Sequence, residues 1–350
     1  MVNWRLFAWM GFLLCLNFAL PASGQFPTEE ASALPFEITV AFDYDGDIYI
    51  TDFSSDPVSI TSPDTHDMIP AWSPDGTQIA FLSSDTFLTV NEAQLYVMTL
   101  VSDELRQLSE LAFSPEATLT WSPDGHSIAV THGTIFIVDV EDVKAWQLPV
   151  DCGTCSVNWL PDSSGVLFES GGEIFRIDLD GGNLQQIALS PPNAYRPALS
   201  PISSDVVFIS SYKNVPGLYN VSLDDLAINQ IAGLSGYEIF PHYWSPDGQY
   251  IAFGVTPAYG SNVIVPGGGD VYAVNKDGTD MRVVTGDAAD SLLGWANDSQ
   301  HVIYYAGEPG GAGGSYFAVN ISDSTQTRLS GEVMDKMCSY GNCRNFAIRP

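Results

Sequence analysis

The chain has 350 residues, 45% of them apolar and 12% aromatic, which is enough to bury a large core and argues against a disordered acidic polymer. Lys and Arg number 12 against 42 Asp and Glu, a formal charge of −30. A surface that negative repels phosphate backbones and anionic lipid headgroups, so nucleic acid and membrane surfaces are excluded as expected partners.

At the N-terminus, Arg5 precedes an apolar stretch from Leu6 to Leu20, broken only by Asn17 and followed by Pro21, Ala22, Ser23 and Gly24. A charged start, an apolar middle and a small-residue exit are the parts of an export signal. The stretch reaches roughly 22 Å at about 1.5 Å per residue, short of the ~30 Å hydrocarbon core. Residues 1–24 are therefore expected to be cleaved; the alternative is an uncleaved anchor. Residues 25–35 then form a linker and 36–350 a single domain, secreted or held in the periplasm or cell envelope, with a mature formal charge of −31.

The first predicted strands are Ile38–Phe42, Ile48–Ile50 and Val58–Ile60. Between the first two lies Asp43-Tyr-Asp-Gly-Asp47. Alternating carboxylates there resemble the start of a calcium loop, but the Gly and distal Glu of such a loop are missing at the required offsets. An Asp-Gly hairpin turn is the expectation, with no cofactor and calcium as the alternative.

From residue 72 onward the chain repeats. Trp72-Ser-Pro-Asp-Gly76 recurs at Trp121–Gly125 and Trp244–Gly248, with degraded copies at Trp159–Ser163, Leu199–Ser203 and Trp295–Ser299. Each is a turn: Pro presets φ, Asp bonds the local backbone, and Gly accepts positive φ. Each is followed by a β-rich run (Gln78–Phe81, Ser127–Val130, Val166–Phe168, Val206–Phe208, Tyr250–Phe253, Val302–Tyr304). A second run follows (Leu95–Val97, Ile135–Ile137, Ile174–Arg176, Leu218–Asn220, Val271–Ala273, Tyr316–Ala318). A short outer strand such as Arg106–Leu108 or Arg282–Val284 closes the unit. Four short strands per unit with turns between them is the pattern of a propeller blade. No segment sustains a 3.6-residue apolar period, so no helical domain is expected.

The N-terminal unit has three outer strands and lacks an inner one; Phe346-Ala-Ile-Arg-Pro350 aligns with Pro70–Pro74 and can supply it. Along this register the repeats are spaced 49, 38, 40, 45, 51 and 53 residues apart, a mean of 46. The expectation is an all-β, seven-bladed propeller of four-stranded antiparallel blades, closed by both termini in one blade so that no sheet edge stays open. The alternative is six blades plus a stray hairpin.

The Trp-Ser-Pro-Asp-Gly turn, the Ile-Ala-Phe strand and the Leu-Tyr-Val-Met strand at 95–98 resemble the TolB-like β-propeller repeats, which also occur in propeller domains of tricorn-type and prolyl-oligopeptidase-type proteases. The resemblance spans nearly the whole mature chain. It implies a fold and leaves function open, because relatives include protein-binding scaffolds, peptidase gating domains and carbohydrate-active enzymes. The five motif tryptophans are expected to pack blades rather than bind ligand.

Export also governs the cysteines. Cys152/Cys155 and Cys338/Cys343 are two close pairs, read as short-loop disulfides, with a four-cysteine zinc site as the alternative. A nucleophile elbow and His-Glu-x-x-His are both absent from the sequence.

The motif turns are short and uniform, so function is expected on the opposite rim. Its longer loops are Ser83–Glu92, Ser211–Gly217, Ser235–Tyr243, Thr256–Gly269, Gly307–Gly314 and Gly331–Asn345. Candidate ligand contacts are His66, Asp67, Tyr195, Arg196, Tyr237, Glu238, His242, Tyr259 and Arg344. The leading expectation is an exported, monomeric, non-catalytic scaffold that binds a protein, peptide or glycan. The alternative is a carbohydrate-active enzyme, such as a lyase on acidic sugars, with Arg196, His242 and Tyr243 as its functional groups.

Overall fold

The same local bonds recur in the three intact copies of the turn. In Trp72–Gly76 the Ser73 hydroxyl donates to Asp75 Oδ1 at 2.6 Å, Asp75 accepts the Thr77 amide, and Ser73 Oγ accepts the Gln78 amide. The copies at Ser122 and Ser245 repeat these bonds. Gly76, Gly125 and Gly248 take φ of 65°, 74° and 63°, the left-handed region the motif needs at that position. In two degraded copies Ser163 and Ser299 adopt the same conformation, at φ 58° and 57°. Their hydroxyls accept the Asp124 and Asp247 amides of the preceding repeat, which offsets the cost of a side chain there.

The computed structural model describes residues 34, 36–62, 64–85, 93–153, 157–187, 193–210, 217–233, 237–257, 269–285, 291–307, 314–338 and 344–350. Residues Leu34–Pro350 group together and form seven four-stranded antiparallel sheets, the blades of a β-propeller. Blade 1 joins the C-terminal strand Arg344–Ile348 to Val40–Tyr44, Asp47–Thr51 and Val58–Ser59. The strand from the C-terminus is innermost and antiparallel, with Ala41 opposite Ala347, so the chain's two ends close the ring as expected. Blades 2 to 7 begin at innermost strands His66–Trp72, Thr118–Trp121, Val157–Trp159, Tyr195–Leu199, Tyr237–Trp244 and Ser291–Trp295.

Radial sheets bury both faces of their inner strands, so second strands read as continuous apolar runs rather than alternating ones. Ile79 to Ser84, for example, are all buried. The core is correspondingly divided into seven clusters, one at each blade seam. Trp121 and Leu82 belong to the seam of blades 2 and 3, and Ala41 and Phe81 to that of blades 1 and 2.

The five motif tryptophans bridge seams as well as filling them. The indole N–H of Trp72, Trp121, Trp159, Trp244 and Trp295 donates to Ala347, Ala71, Thr120, Ala198 and Tyr243 carbonyls of the preceding blade, at 2.9 to 3.0 Å. Blade 5 has Leu199 in place of Trp, and there Asn158 of blade 4 donates to the Pro197 carbonyl at 2.7 Å instead. Each such bond contributes about 1 kcal/mol net.

One difference from the sequence expectation lies in Gly331–Asn345, anticipated as loop. Glu332–Met337 forms a single short helix whose Met334 is buried with Phe36 and Ile38 at the seam of blades 7 and 1. Six residues are too few to display a helical period. Among the described residues no helix is long and apolar enough to cross a membrane.

The Asp43–Asp47 segment is a two-residue hairpin, with Tyr44 opposite Asp47 and positive φ at Asp45 (51°) and Gly46 (91°), as an Asp-Gly turn requires. Cys152 and Cys338 are each disulfide-bonded. Cys155 and Cys343, their expected partners, lie outside the described residues.

Candidate functional site

On the rim opposite the motif turns, the innermost strands depart from regular pairing. Register shifts interrupt them between Met68 and Ala71, Tyr195 and Ala198, Ile239 and His242, and Leu292 and Gly294. Three residues before the motif Trp position, Ile69, Arg196 and Asn345 take φ of 59°, 54° and 51°. A bulge of this kind re-aims a side chain, and bulges gather at barrel rims and beside sites. Among the described residues the innermost strands of blades 3 and 4 pair without such an irregularity.

On this rim blades 3 to 6 line an open axial cavity of about 670 Å³. Blade 3 contributes Glu116, Thr118, Thr131 and His132, and blade 4 Val157, Asn158 and Glu169. Blade 5 contributes Tyr195, Arg196, Pro197 and Ala198, and blade 6 Pro241, His242 and Tyr243. A second cavity of about 470 Å³ reaches toward the motif turns and shares Asn158, Ala198, His242 and Tyr243 with the first.

His242 is the anomaly in this wall. Two residues before the motif Trp position, the other blades carry Pro70, Leu119, Val157, Pro197, Leu293 and Phe346. His242 is 7% exposed, and neither ring nitrogen makes a hydrogen bond of good geometry among the described residues, although the backbone of Val207 and Arg196 lies near enough to favour its protonated form. Burial pushes its pKa down to about 4, and the Arg196 guanidinium adds to the shift; the nearby backbone of Val207 and Arg196 opposes it only in part. The imidazole is therefore neutral at physiological pH. Burial likewise raises the phenols of Tyr195 and Tyr243, reinforced at Tyr195 by Glu238 and opposed at both by Arg196. Arg196, His242, Tyr195 and Tyr243 thus share one electrostatic neighbourhood.

The remaining sequence candidates fall elsewhere. His66 and Asp67 start the innermost strand of blade 2, away from the cavity. Asp67 is buried, its amide donating to the Gly46 carbonyl at 2.7 Å and its Oδ2 accepting from Thr65 at 3.0 Å. Burial raises its pKa. It ties the Asp-Gly hairpin of blade 1 to blade 2. Tyr237 is half-buried against the seam of blades 5 and 6, and Glu238 is exposed within electrostatic reach of Tyr195. Arg344 opens the closing strand. Tyr259 lies outside the described residues.

Sequence reasoning missed Glu116, Thr118, Asn158 and Glu169. Three of them stand within five residues before a motif Trp, so aligning repeats on that residue and scanning upstream would have found them. Glu169 instead stands next to last in the second strand of blade 4. Among the described residues no group of three or more His, Cys, Asp or Glu is placed to hold a metal ion.

No family model matches the chain. Over 143 residues it is 27% identical to an uncharacterized peptidase, YuxL, of Bacillus subtilis, covering 40% of this chain and 21% of that protein. The chain thus spans about a fifth of the length of the curated relatives it matches. In structure it is similar to TolB of Acinetobacter baumannii, with a TM-score of 0.52, 16% identity, and coverage of 90% of this chain and 67% of that one. It is also similar to an oligogalacturonate lyase of Vibrio parahaemolyticus, with a TM-score of 0.58, 13% identity, and coverage of 87% and 89%. At such identities the likeness carries the fold, a TolB-like propeller, and not the chemistry.

Proposed function

We propose that this is an exported, non-catalytic propeller that binds a protein, peptide or glycan partner in and around the axial cavity of blades 3 to 6. The observation that carries the reading is the convergence of Tyr195, Arg196, His242 and Tyr243 on one cavity at the irregular rim. A concave site with a few convergent polar groups on a rigid scaffold is where ligands bind, and exposed Tyr and Arg are the side chains that anchor them. Export, through cleavage of residues 1–24, and the pairings Cys152–Cys155 and Cys338–Cys343 belong to the same proposal. So does a mature protein that is monomeric and carries no cofactor.

The test is capture of partners from the envelope fraction of the source organism by immobilised protein. The expected result is a partner retained by the wild type and lost with Arg196→Gln or Tyr243→Ala. Equal retention by both variants would remove the reading.

A second reading is favoured by the same convergence. Arg196 could neutralise a uronate carboxylate while His242 or Tyr243 accepts a proton, as a lyase on acidic sugars requires. Against it stand Glu116 and Glu169 in the cavity wall and the scarcity of basic residues, which disfavour a polyanion. Assay of several uronic-acid polymers with added divalent ions decides it: absence of unsaturated product with the intact protein eliminates the enzyme.

A further inference from the structure

Apart from Arg196, the polar side chains that blades 5 and 6 bring to the axial cavity are uncharged. His242 and Tyr243 line both cavities, and Tyr195 lines the larger one. His242 is more than nine-tenths buried, and neither ring nitrogen makes a hydrogen bond of good geometry among the described residues. A buried polar group in that condition is uncommon in a native structure and calls for something that completes its bonding. Burial keeps the imidazole neutral and both phenols protonated, so each offers a donor and an acceptor. Tyr195 and Tyr243 also supply exposed aromatic surface, each keeping 38% of its area accessible.

The charges in the same wall do not call for an ionic ligand. Arg196 already has an interaction within the protein. Glu169 Oε1 accepts the Gly172 amide at 3.1 Å, and Glu116 stands exposed to water. The backbone, in turn, disfavours an extended peptide. Such a peptide would pair along the outer edge of an innermost strand, the last in its sheet. In blades 5 and 6 that strand is broken by register shifts between Tyr195 and Ala198 and between Ile239 and His242. Blades 3 and 4 offer innermost strands of only four and three residues. What is left to match is aromatic surface edged with uncharged hydrogen-bonding groups.

Resting on the binding reading above, we infer that the axial cavity takes a neutral oligosaccharide, with its rings against Tyr195 and Tyr243 and a hydroxyl on the imidazole of His242. A pyranose carries C–H bonds on its faces and hydroxyls around its edge. The C–H face suits the electron-rich face of an aromatic ring. A hydroxyl, donor and acceptor at once, answers either nitrogen of a neutral imidazole. The carboxylates of Glu116 and Glu169 have lone pairs that accept further hydroxyls, while their charge repels an acidic sugar. The volume, about 670 Å³, lies within the ~300–1,000 Å³ span of small-molecule sites.

The experiment is calorimetric titration of the full chain. Cellotriose, maltotriose and mannotriose are the neutral probes. Trigalacturonate, the glucosamine trimer and a tetraalanine blocked at both ends are the anionic, cationic and peptide controls. At least one neutral trisaccharide is expected to bind at millimolar concentration or below, about tenfold or more tighter than each control. Tyr243→Ala and His242→Phe should each weaken that sugar by about tenfold, the worth of one stacked ring or one hydrogen bond. The inference is overturned if no neutral trisaccharide binds at millimolar concentration, if any control binds as tightly as the best of them, or if either variant keeps full affinity. The probes are compared on the unmutated protein, so misfolding of a variant leaves the result decisive. If the neutral sugars fail while an envelope partner is still captured and is lost with Arg196→Gln, the binding reading stands without this inference.

Discussion

The two rims of the propeller follow opposite rules. On one, a five-residue turn repeats with the same Ser–Asp bonds, the same positive φ at its last position and an indole reaching back to the preceding blade. Where a copy degenerates, another group replaces the lost bond, as Asn158 does beside Leu199 and as Ser163 and Ser299 do at their turns. On the other rim the pairing slips, Ile69 and Arg196 sit in a backbone region that side chains avoid, and His242 is buried. The first rim holds the ring with one bonding pattern repeated from blade to blade; the second breaks that pattern with slipped registers and a buried imidazole, a departure expected where a structure is shaped for something besides stability.

Four substitutions break or sharpen that contrast. Trp159→Leu on the ordered rim removes an indole that bridges to Thr120 and leaves a cavity at a seam with no compensating amide. A loss of about 3 kcal/mol in urea unfolding is expected. A loss below about 1 kcal/mol would show that the seam bonds are ornamental.

His242→Phe, on the irregular rim, acts in the opposite direction and only in acid. The unfolded imidazole, with an ordinary pKa of 6.5, takes a proton before the folded one, whose pKa is about 4. Wild-type stability is thus lost as pH falls from 6.5 toward 4, and the phenylalanine variant escapes that loss. Their stability gap should widen by roughly 3 kcal/mol across this window, since one pKa unit is about 1.4 kcal/mol. Denaturation midpoints of the two proteins that run parallel from pH 7 to pH 4 would mean that His242 is not held neutral.

Gly248→Ala returns to the ordered rim. It forces a side chain to φ 63° and places its Cβ 2.5 Å from Ile202 Cγ1. It should cost roughly 1–2 kcal/mol, read as a lower thermal midpoint; an unchanged midpoint would show that the turn conformation is not demanding.

The smallest effect on stability is the one that separates the rims most cleanly. Arg196→Gly relieves a left-handed arginine and should stabilise by roughly 0.5–1 kcal/mol while abolishing capture of the partner. Stability and binding falling together would place Arg196 with the structural residues instead.

How much of this could be read beforehand follows from the range of the interactions. The Trp-Ser-Pro-Asp-Gly turns, the strands after them and the Asp45-Gly46 hairpin were legible, because backbone preference and burial pattern act over a few residues. The closing strand Arg344–Ile348 was legible too, because its register repeats that of Trp72. The helix Glu332–Met337 was not, being too short to show a period. Tyr195, Arg196 and His242 were identified as rim residues, but so were His66 and Asp67, which the ring carries to another blade. Glu116, Asn158 and Glu169 were overlooked because nothing local distinguishes them from ordinary strand ends.

The amino-acid order by itself determined the number of blades, their strands and the way the ring is sealed, since each depends on turns and apolar runs written into one repeat at a time. Only the tertiary structure decided that residues as distant as Glu116 and Tyr243 share a cavity, that an indole's partner is the carbonyl of the preceding blade, and that His242 is buried. Those facts depend on contacts between repeats, and a contact across a seam exists only once seven sheets have been wound around a common axis.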